Sequence, residues 1–529
     1  MVRVVSRPPA GEIHFALASS CGRTDTMLHV YIRGQECLGD LSMPTPPLVR
    51  KRRMKPVNTV IVGAGVAGRI VLEEIAERPD LNYVVKGFVD DNPDLRGKRI
   101  GGAIVLGSSE DLPRLKRDLD LEEAIIAMPS VKGMSVRKIV ELCRRAGLTS
   151  QIVPGAVDVL TGRATVSAAR PVSVEDMLRR EMAVLSEDVK SRFEGQSVLV
   201  TGAAGSIGSE LCRSLCGLGI RRLIALDTDE NGVFELELDL RSLPNFRSDI
   251  GFQAVVGSIA NETKVEWILR TFRPQIVFHA AARKHVPLME DHPEEAVETN
   301  LHGTRILAEA CAASGVDTFI NISTDKAVEP SSVMGATKRL AELVVRDLAR
   351  AHPGTKFVTV RFGNVIGSRG SVLQVFGKQL ASGKPLTITN PEMTRYFMTA
   401  NEAAVLLLQS VVIGRSGDIL VLDMGDPIRL LDLAKDLIAL SGYGSDKDLE
   451  YEVVGPRPGE KMHEKLHGDD EVLAPTNHDR ILRVVGTGPE VRQDLLQSLV
   501  ERARTMNREA IIDTLKELLP GYGRAGGSR

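Results

Sequence analysis

The stretch "ISTDKAVEPSSVMGATK", Ile322 to Lys338, gathers a hydroxyl, a carboxyl and an amine at Thr324, Asp325 and Lys326, and sets a second amine at Lys338. A carboxylic acid next to an amine can divide proton donation and removal between them, provided both face the same ligand. An ordinary lysine, with a pKa of about 10.4, is protonated at neutral pH, so Lys326 would need desolvation or a neighbouring cation to act as a base. Lysine can be shifted in this way and arginine cannot. Met334 stands four residues before Lys338. A thioether takes no proton, although methionine fills apolar gaps well. An Asp-Lys pair can also be a plain surface turn; the apolar run "FINIS" before it and the glycine-containing helical pattern after it favour a site at a strand end.

Such residues need a scaffold, and the chain offers two. The segment "SVLVTGAAGSIGSELCRSLCGLG" runs from an apolar strand through Gly202, Gly205 and Gly208 into a helical repeat, and the next strand, "RLIALD", ends at Asp227, 19 positions after Gly208. Glycines allow a tight turn and close phosphate approach, the helix N-terminus favours an anion, and a carboxylate at that distance accepts hydrogen bonds from a ribose while repelling a 2′-phosphate. NAD is therefore expected rather than NADP. Further strands, "QAVVGSI", "IVFHAAARKHVP", "TFINISTDK" and "FVTVRFGNVIG", alternate with helices. That alternation predicts a doubly wound parallel sheet with ligands at the carboxyl ends of its strands, where Ala280, Ala281 and Ala282 fall. Small side chains there let backbone approach a cofactor, or simply pack tightly.

An earlier segment, "NTVIVGAGVAGRIVLEEI", carries Gly63, Gly65 and Gly68 and is followed by "YVVKGFVDD", ending at Asp90 and Asp91. Nucleotide binding and simple helix-on-strand packing are both open readings of this motif. The expected fold class is α/β, with two Rossmann-like doubly wound parallel-sheet domains, the second bearing a smaller C-terminal substrate-binding lobe. The expected boundaries are a weakly ordered arm and linker over 1–55, an accessory Rossmann-like domain over 56–153, a connector over 154–194, a catalytic domain over 195–485, and C-terminal helices and tail over 486–529. The last of these, "VRQDLLQSLVERARTMNREAIIDTLKELLP", reads as amphipathic helices closing the C-terminal lobe.

Composition excludes several classes. With 529 residues, of which 43% are hydrophobic and 26% charged, the chain has apolar material for two or three cores. Its net charge of −2, interspersed signs and 4% aromatic content give no nucleic-acid footprint. The six cysteines are scattered without metal-type spacing, which suits a reducing compartment and implies no metal site. No apolar run approaches the roughly 20 residues of a membrane span. "IHFALAS" near the start is a poor signal-peptide core.

The stretches "VTGAAGSIGSEL", "HAAARKHVPLMEDHP", "NISTDKAVEPSSVMGATKR", "VRFGNVIGSRGSV", "NPEMTRYFMT" and "GPRPGEKMHEKL" together resemble the nucleotide-sugar 4,6-dehydratases of polysaccharide biosynthesis, the CapD-like branch of the extended short-chain dehydrogenases/reductases, and within it the UDP-N-acetylglucosamine 4,6-dehydratases. The segment "GFVDDNPDLRGKRIGGAIVLGS" resembles the accessory, CoA-binding-like domain of the longer members, which commonly begin with membrane helices; no transmembrane helix is expected within this sequence. The resemblance implies a tightly bound NAD recycled in each turnover, and a lyase that oxidises sugar C4, removes the C5 proton with loss of the C6 hydroxyl as water, and returns hydride to C6. It implies Asp325 as the acid at C6, Lys326 as the base at C5, a relay through Thr324 and Asp325 for the C4 proton, and Lys338 on the nicotinamide ribose. Met334 replaces the tyrosine of typical members, as in one branch of working enzymes, and is expected to pack against cofactor or sugar.

Cofactor contacts are further expected from Gly202, Gly205, Ser206, Ile207, Gly208, Asp227, Ala280 to Ala282 and Asn300. Substrate contacts are expected from Lys284, Asn364, Arg395, Arg457 and Glu460, the arginines because their fork matches phosphate oxygens. Two departures from the family pattern are Ser258, where an aspartate near the adenine is usual, and Arg283, where an aromatic or apolar residue is common. The expected partners are a UDP-sugar, a second copy of the chain and glycan-assembly enzymes, and the expected location is cytoplasmic, with membrane association through partners left open. A nucleotide-sugar 4-epimerase and a catalytically idle NAD-binding scaffold are the competing readings.

Overall fold

The computed structural model describes residues 55–128, 133–153, 169–178, 185–243, 246, 247, 249–441, 451–486 and 490–523. The expected N-terminal arm and most of the expected connector lie outside these residues.

The first sheet starts with β1 (Val57–Val62), whose Val60 and Ile61 are completely buried. A parallel strand covered on both faces must be apolar throughout, and "VNTVIV" meets that need at its inner end. β2 (Tyr83–Val89), β3 (Arg99–Ile100), β4 (Ala103–Gly107), β5 (Glu123–Ile126), β6 (Thr149–Ile152) and β7 (Arg170–Pro171) complete a seven-stranded sheet in the order β3-β4-β2-β1-β5-β6-β7. β2 and β5 flank β1 in parallel. Helices Val66–Glu77, Leu112–Leu119 and Gly133–Ala146 accompany it.

The second sheet repeats the plan on a larger scale. β8 (Ser197–Thr201), β9 (Arg222–Asp227), β10 (Gly251–Val256), β11 (Ile276–His279), β12 (Thr318–Thr324) and β13 (Lys356–Phe362) pair in parallel in the order β10-β9-β8-β11-β12-β13. Strand Ile419–Leu422 extends the sheet in parallel beside β13, and Ile481–Val485 and Val472–Pro475 close it antiparallel. The order in which strands are added reverses between β8 and β11, which leaves a crevice at the carboxyl ends of these two parallel neighbours.

A smaller lobe grows from the loops beyond β13. It is held by short pairings of Asn364–Val365 with Phe397–Met398, Thr394–Arg395 with Ile428–Arg429 and Leu386–Ile388 with Tyr451–Val453. Its core includes Phe376, Leu386, Ile388, Met393 and Leu433.

The two C-terminal helices, Gln493–Arg504 and Arg508–Leu518, correct the sequence expectation. They pack instead over the Pro293–Gly303 segment and the Val333–Ala351 helix, on the dinucleotide-type half of the molecule. Their apolar stripe, with Leu496, Leu499, Ile511 and Leu515 buried, finds a partner there in Val297, Leu301, Val333 and Leu340. Amphipathicity told that these helices cover something; it could not tell what.

Candidate active site

The crevice is built from glycine outward. Gly202 follows β8 with φ +66°, and a Cβ on it would stand 2.6 Å from the Ala281 nitrogen, so the loops after β8 and β11 touch backbone to backbone. Only glycine meets both requirements. Gly205 caps the Ser206–Cys216 helix, whose first N–H groups open toward the crevice, and a Cβ at Gly208 would stand 2.1 Å from the Gly202 carbonyl oxygen. Asp227, ending β9, holds this loop: one carboxylate oxygen accepts from the Ala204 N–H at 3.0 Å and the other from the Asp229 N–H at 3.0 Å. A carboxylate has about four acceptor positions, so two remain for ribose hydroxyls. The crevice wall continues through Gly257, Ser258, Ala280, Ala281, Ala282 and Thr299. Ser206 accepts the Arg369 N–H at 3.1 Å, and Ile207 packs on the main core.

The first sheet uses the same device. Asp90 accepts from the Ala64 N–H at 2.8 Å with one oxygen and from the Asn92 N–H at 2.9 Å with the other.

Asn300 sits in a π-helical stretch, Val297–Gly303, and is fully buried. Its amide oxygen accepts the Arg283 N–H at 2.8 Å while its amide nitrogen donates to the Arg283 carbonyl at 3.0 Å and to Thr337 at 3.3 Å. It therefore staples the loop beneath the crevice. Behind it His279 bridges the hydroxyls of Thr201 and Thr304, at 2.8 Å each. Burial, with the Lys338 charge adding to it, pushes this imidazole down to about 3, so it stays neutral.

The end of β12 brings the proton-transfer candidates together. The Thr324 hydroxyl donates to Asp325 Oδ1 at 2.8 Å, and Lys326 Nζ donates to the same oxygen at 3.0 Å and to Asn364 Oδ1 at 2.8 Å. Asp325 is fully buried, yet its Oδ2 has no hydrogen-bond partner among the described residues. A buried carboxylate oxygen left bare is costly unless something else satisfies it. Gly363 packs beside it, and a Cβ there would approach Oδ2 to 3.1 Å.

Lys338, one helix turn past Met334, is buried and donates to the Ile322 carbonyl at 2.7 Å. Burial pushes its pKa down to about 8, against a smaller upward pull from Glu342. Met334 is 3% exposed and belongs to the apolar cluster that holds Met289, Val297, Leu499 and Ile511. Lys284, on the loop after β11, is lowered first by burial and then by Arg369.

The arginines expected to meet phosphate are placed differently. Arg395 is buried, and its guanidinium donates to the carbonyls of Thr394, Met462 and Lys461 at 2.8, 3.1 and 2.8 Å. It pins the "GEKMHEK" segment to the lobe. Arg457 is exposed, and the Glu460 carboxylate accepts the Arg457 backbone N–H at 3.1 Å rather than its guanidinium.

Sequence reasoning passed over a buried ionic network beneath β12. Arg361 and Glu342, both fully buried, pair through two hydrogen bonds of 2.8 Å; Arg361 also grips Glu471 at 2.6 and 2.9 Å, and Ser323 donates to Glu342 at 2.6 Å. Arg339 bonds Glu342 as well. The signal was present: an arginine inside the apolar strand "FVTVRF" has to be paired.

Among known proteins, the family described as "Polysaccharide biosynthesis protein" matches residues 198–486, and one described as "CoA-binding domain" matches 46–154. The "Probable polysaccharide biosynthesis protein EpsC" of Bacillus subtilis (strain 168) is 40% identical over 427 residues, 80% of this chain and 71% of that protein. The inverting UDP-N-acetylglucosamine 4,6-dehydratase of Campylobacter jejuni subsp. jejuni serotype O:23/36 is 31% identical over 283 residues, 53% of this chain and 79% of that one. Among solved structures, Pen from Bacillus thuringiensis superposes with a TM-score of 0.50 at 28% identity, covering 56% of this chain and 91% of that chain. With a family match over the whole second sheet and its lobe, and a relative of this identity over most of its own length, the chain belongs to the polysaccharide biosynthesis protein family.

Proposed function

We propose that the protein is a 4,6-dehydratase of a UDP-N-acetylhexosamine, UDP-N-acetylglucosamine in the first instance, with NAD in the crevice of the second sheet. The observation that carries this reading is the bare, buried Oδ2 of Asp325 beside a lysine that shares the opposite oxygen. The glycine loop, the free acceptor positions of Asp227 and the alanine wall fit a dinucleotide, with Ser206 and Gly205 at its phosphates and Lys338 at the far ribose. Bound there, NAD would supply the hydride acceptor for sugar C4 and the hydride donor for C6.

The chain's own residues move the protons. Thr324 and Asp325 receive the proton of the C4 hydroxyl, and Asp325 passes a proton through Oδ2 to the departing C6 hydroxyl, which leaves as water. Lys326, entering the cycle as the neutral amine, removes the C5 proton and gives it back once C6 has been reduced. The sugar loses one water and no net oxidation occurs. Lys326 reaches Asp325 and Asn364 together, so its amine is directed rather than free to rotate. Met334 has no proton role in this scheme. Lys284, Asn364, Arg457 and Glu460 are the sugar- and diphosphate-facing residues, and Arg395 supports the segment that carries the last two.

Incubation of the purified protein with UDP-N-acetylglucosamine, followed by mass spectrometry, tests the reading. The expected product is lighter by one water. An unchanged mass with an inverted hydroxyl would make the protein an epimerase, and bound NAD without turnover would make it a scaffold.

A further inference from the structure

The five residues between the catalytic 3₁₀ turn (Asp325–Ala327) and the helix starting at Val333 make an unusual bend. Glu329 holds φ +41°, a left-handed conformation that non-glycine residues seldom adopt. A residue with a long side chain persists there only if its surroundings fix it.

Most of those surroundings come from one distant segment of the small lobe; the exception is the Pro330 carbonyl, which accepts the Gly523 N–H at 3.3 Å. Lys461 Nζ donates to the Val328 carbonyl at 2.7 Å. Lys465 Nζ lies 3.0 Å from one Glu329 carboxylate oxygen and 3.2 Å from the other, and the Asp469 N–H donates to Glu329 at 3.2 Å. The Ser331 hydroxyl donates to the Gly459 carbonyl at 2.8 Å. Gly459 itself has φ +79°, and a Cβ on it would meet Ser332, the cap of the next helix, at 2.8 Å. Val328, Glu329 and Ser331 are thus each held by residues 459–469, and Ser332 stands in close approach to Gly459.

The grip has a buried base. Lys461 is 10% exposed at its side chain, Glu464 4%, and the two stand 3.5 Å apart, with one Glu464 oxygen lacking any hydrogen bond among the described residues. A lysine kept inside beside a half-satisfied carboxylate is an expensive way to hold a loop, and an apolar contact would serve stability as well. What the polar grip adds is a fixed direction: it sets where the chain leaves Lys326.

We propose that Lys461, Lys465 and Glu329 are positioning residues of the reaction, clamping the bend so that Asp325 and Lys326 hold their places at the sugar. This rests on the assignment of those two residues to proton transfer. The same segment begins two residues after Arg457, so the part of the lobe that faces the diphosphate also aligns the acid and base.

Steady-state kinetics with UDP-N-acetylglucosamine on the full chain test the clamp. Lys461→Met and Lys465→Ala are expected to lower kcat by about tenfold to a hundredfold, the scale of a small misplacement of reacting groups. KM, bound NAD and melting temperature should stay at wild-type values, and Lys461→Arg, which keeps a donor, should recover most of kcat. Wild-type kcat in both variants overturns the proposal, as does a loss of kcat matched by equal loss of bound NAD. Lys465 is half-exposed, so Lys465→Ala decides if Lys461→Met fails to fold. If the wild type turns over no nucleotide sugar, the functional reading falls, and the clamp is judged on amide hydrogen exchange over residues 325–335. Faster exchange in Lys465→Ala supports it, and unchanged exchange overturns it.

Discussion

Lys338 pays the heaviest electrostatic penalty near the crevice. It is buried, its one hydrogen bond goes to a carbonyl, and the acid that draws its pKa up, Glu342, is already committed to Arg361 and Arg339. Its pKa falls from 10.5 unfolded to about 8 folded. Below pH 8 both states carry the charge and the folded state bears the whole penalty. Between pH 8 and 10.5 the folded lysine sheds its proton first, the unfolded chain binds more protons, and stability rises with pH. Urea unfolding of wild type and Lys338→Met across this window should therefore show a wild-type gain that the variant lacks; parallel curves would remove the penalty. Met334 calls for a different experiment. Its place in the apolar cluster predicts that Met334→Ala costs about 2 to 5 kcal/mol of stability, measurable as a lower urea midpoint, while catalysis persists. Lys326→Ala should abolish exchange of the substrate's C5 proton with solvent deuterium, and should also lower the midpoint because the buried Asp325 loses its amine partner.

At the scale of elements, the Arg361 network joins β13, the Val333–Ala351 helix and the segment leading into Val472–Pro475, and through Ser323 it reaches the strand that ends in Thr324. Burial pushes Glu342 up, but the charge and hydrogen bonds of Arg361, then Arg339 and Ser323, outweigh it and hold the carboxyl at about 2. Its contribution to stability is complete above the ordinary glutamate value of 4.5 and disappears as pH falls through about 2. Removing one partner strands a buried charge, so Arg361→Met should destabilise by about 3 to 5 kcal/mol. Chemical denaturation at pH 7 checks this, and a change below 1 kcal/mol would mean that the triad is dispensable. The same elements show what was legible in sequence. The strand, glycine loop and helix of each sheet announce themselves because their cause is local: Gly202, Gly208 and Asp227 lie within one short unit. That Thr324, Asp325 and Lys326 meet at a strand end was legible for the same reason. Arg395 was not, because two of the three carbonyls that occupy its guanidinium are 66 and 67 residues away. Glu471 lies 110 residues from Arg361, and nothing in its own neighbourhood marks it as buried.

On the scale of the whole molecule, the first sheet is joined to the small lobe by more than chain continuity. The short helix Val174–Leu178 turns Met177 into the core of the first sheet and Val174 into the lobe cluster with Ile366, Leu373, Phe397 and Leu433. Arg137, on a helix of the first sheet, pairs with Asp436 on the lobe helix Leu430–Ser441. Ile366 follows Asn364 in the loop beyond β13, so the wedge packs against the same loop that holds Lys326. Two modules sharing an apolar seam of this kind cannot expose it separately without losing hydrophobic contact on both sides. They should consequently unfold together, giving a single calorimetric transition. Val174→Asp places an unpaired carboxylate in the seam at a position 2% exposed and should split that transition in two. It should also weaken activity, because the loop bearing Asn364 loses its backing. A variant that still melts in one step with full activity would show that the seam is only a contact, and that the first sheet leaves the chemistry of the second untouched.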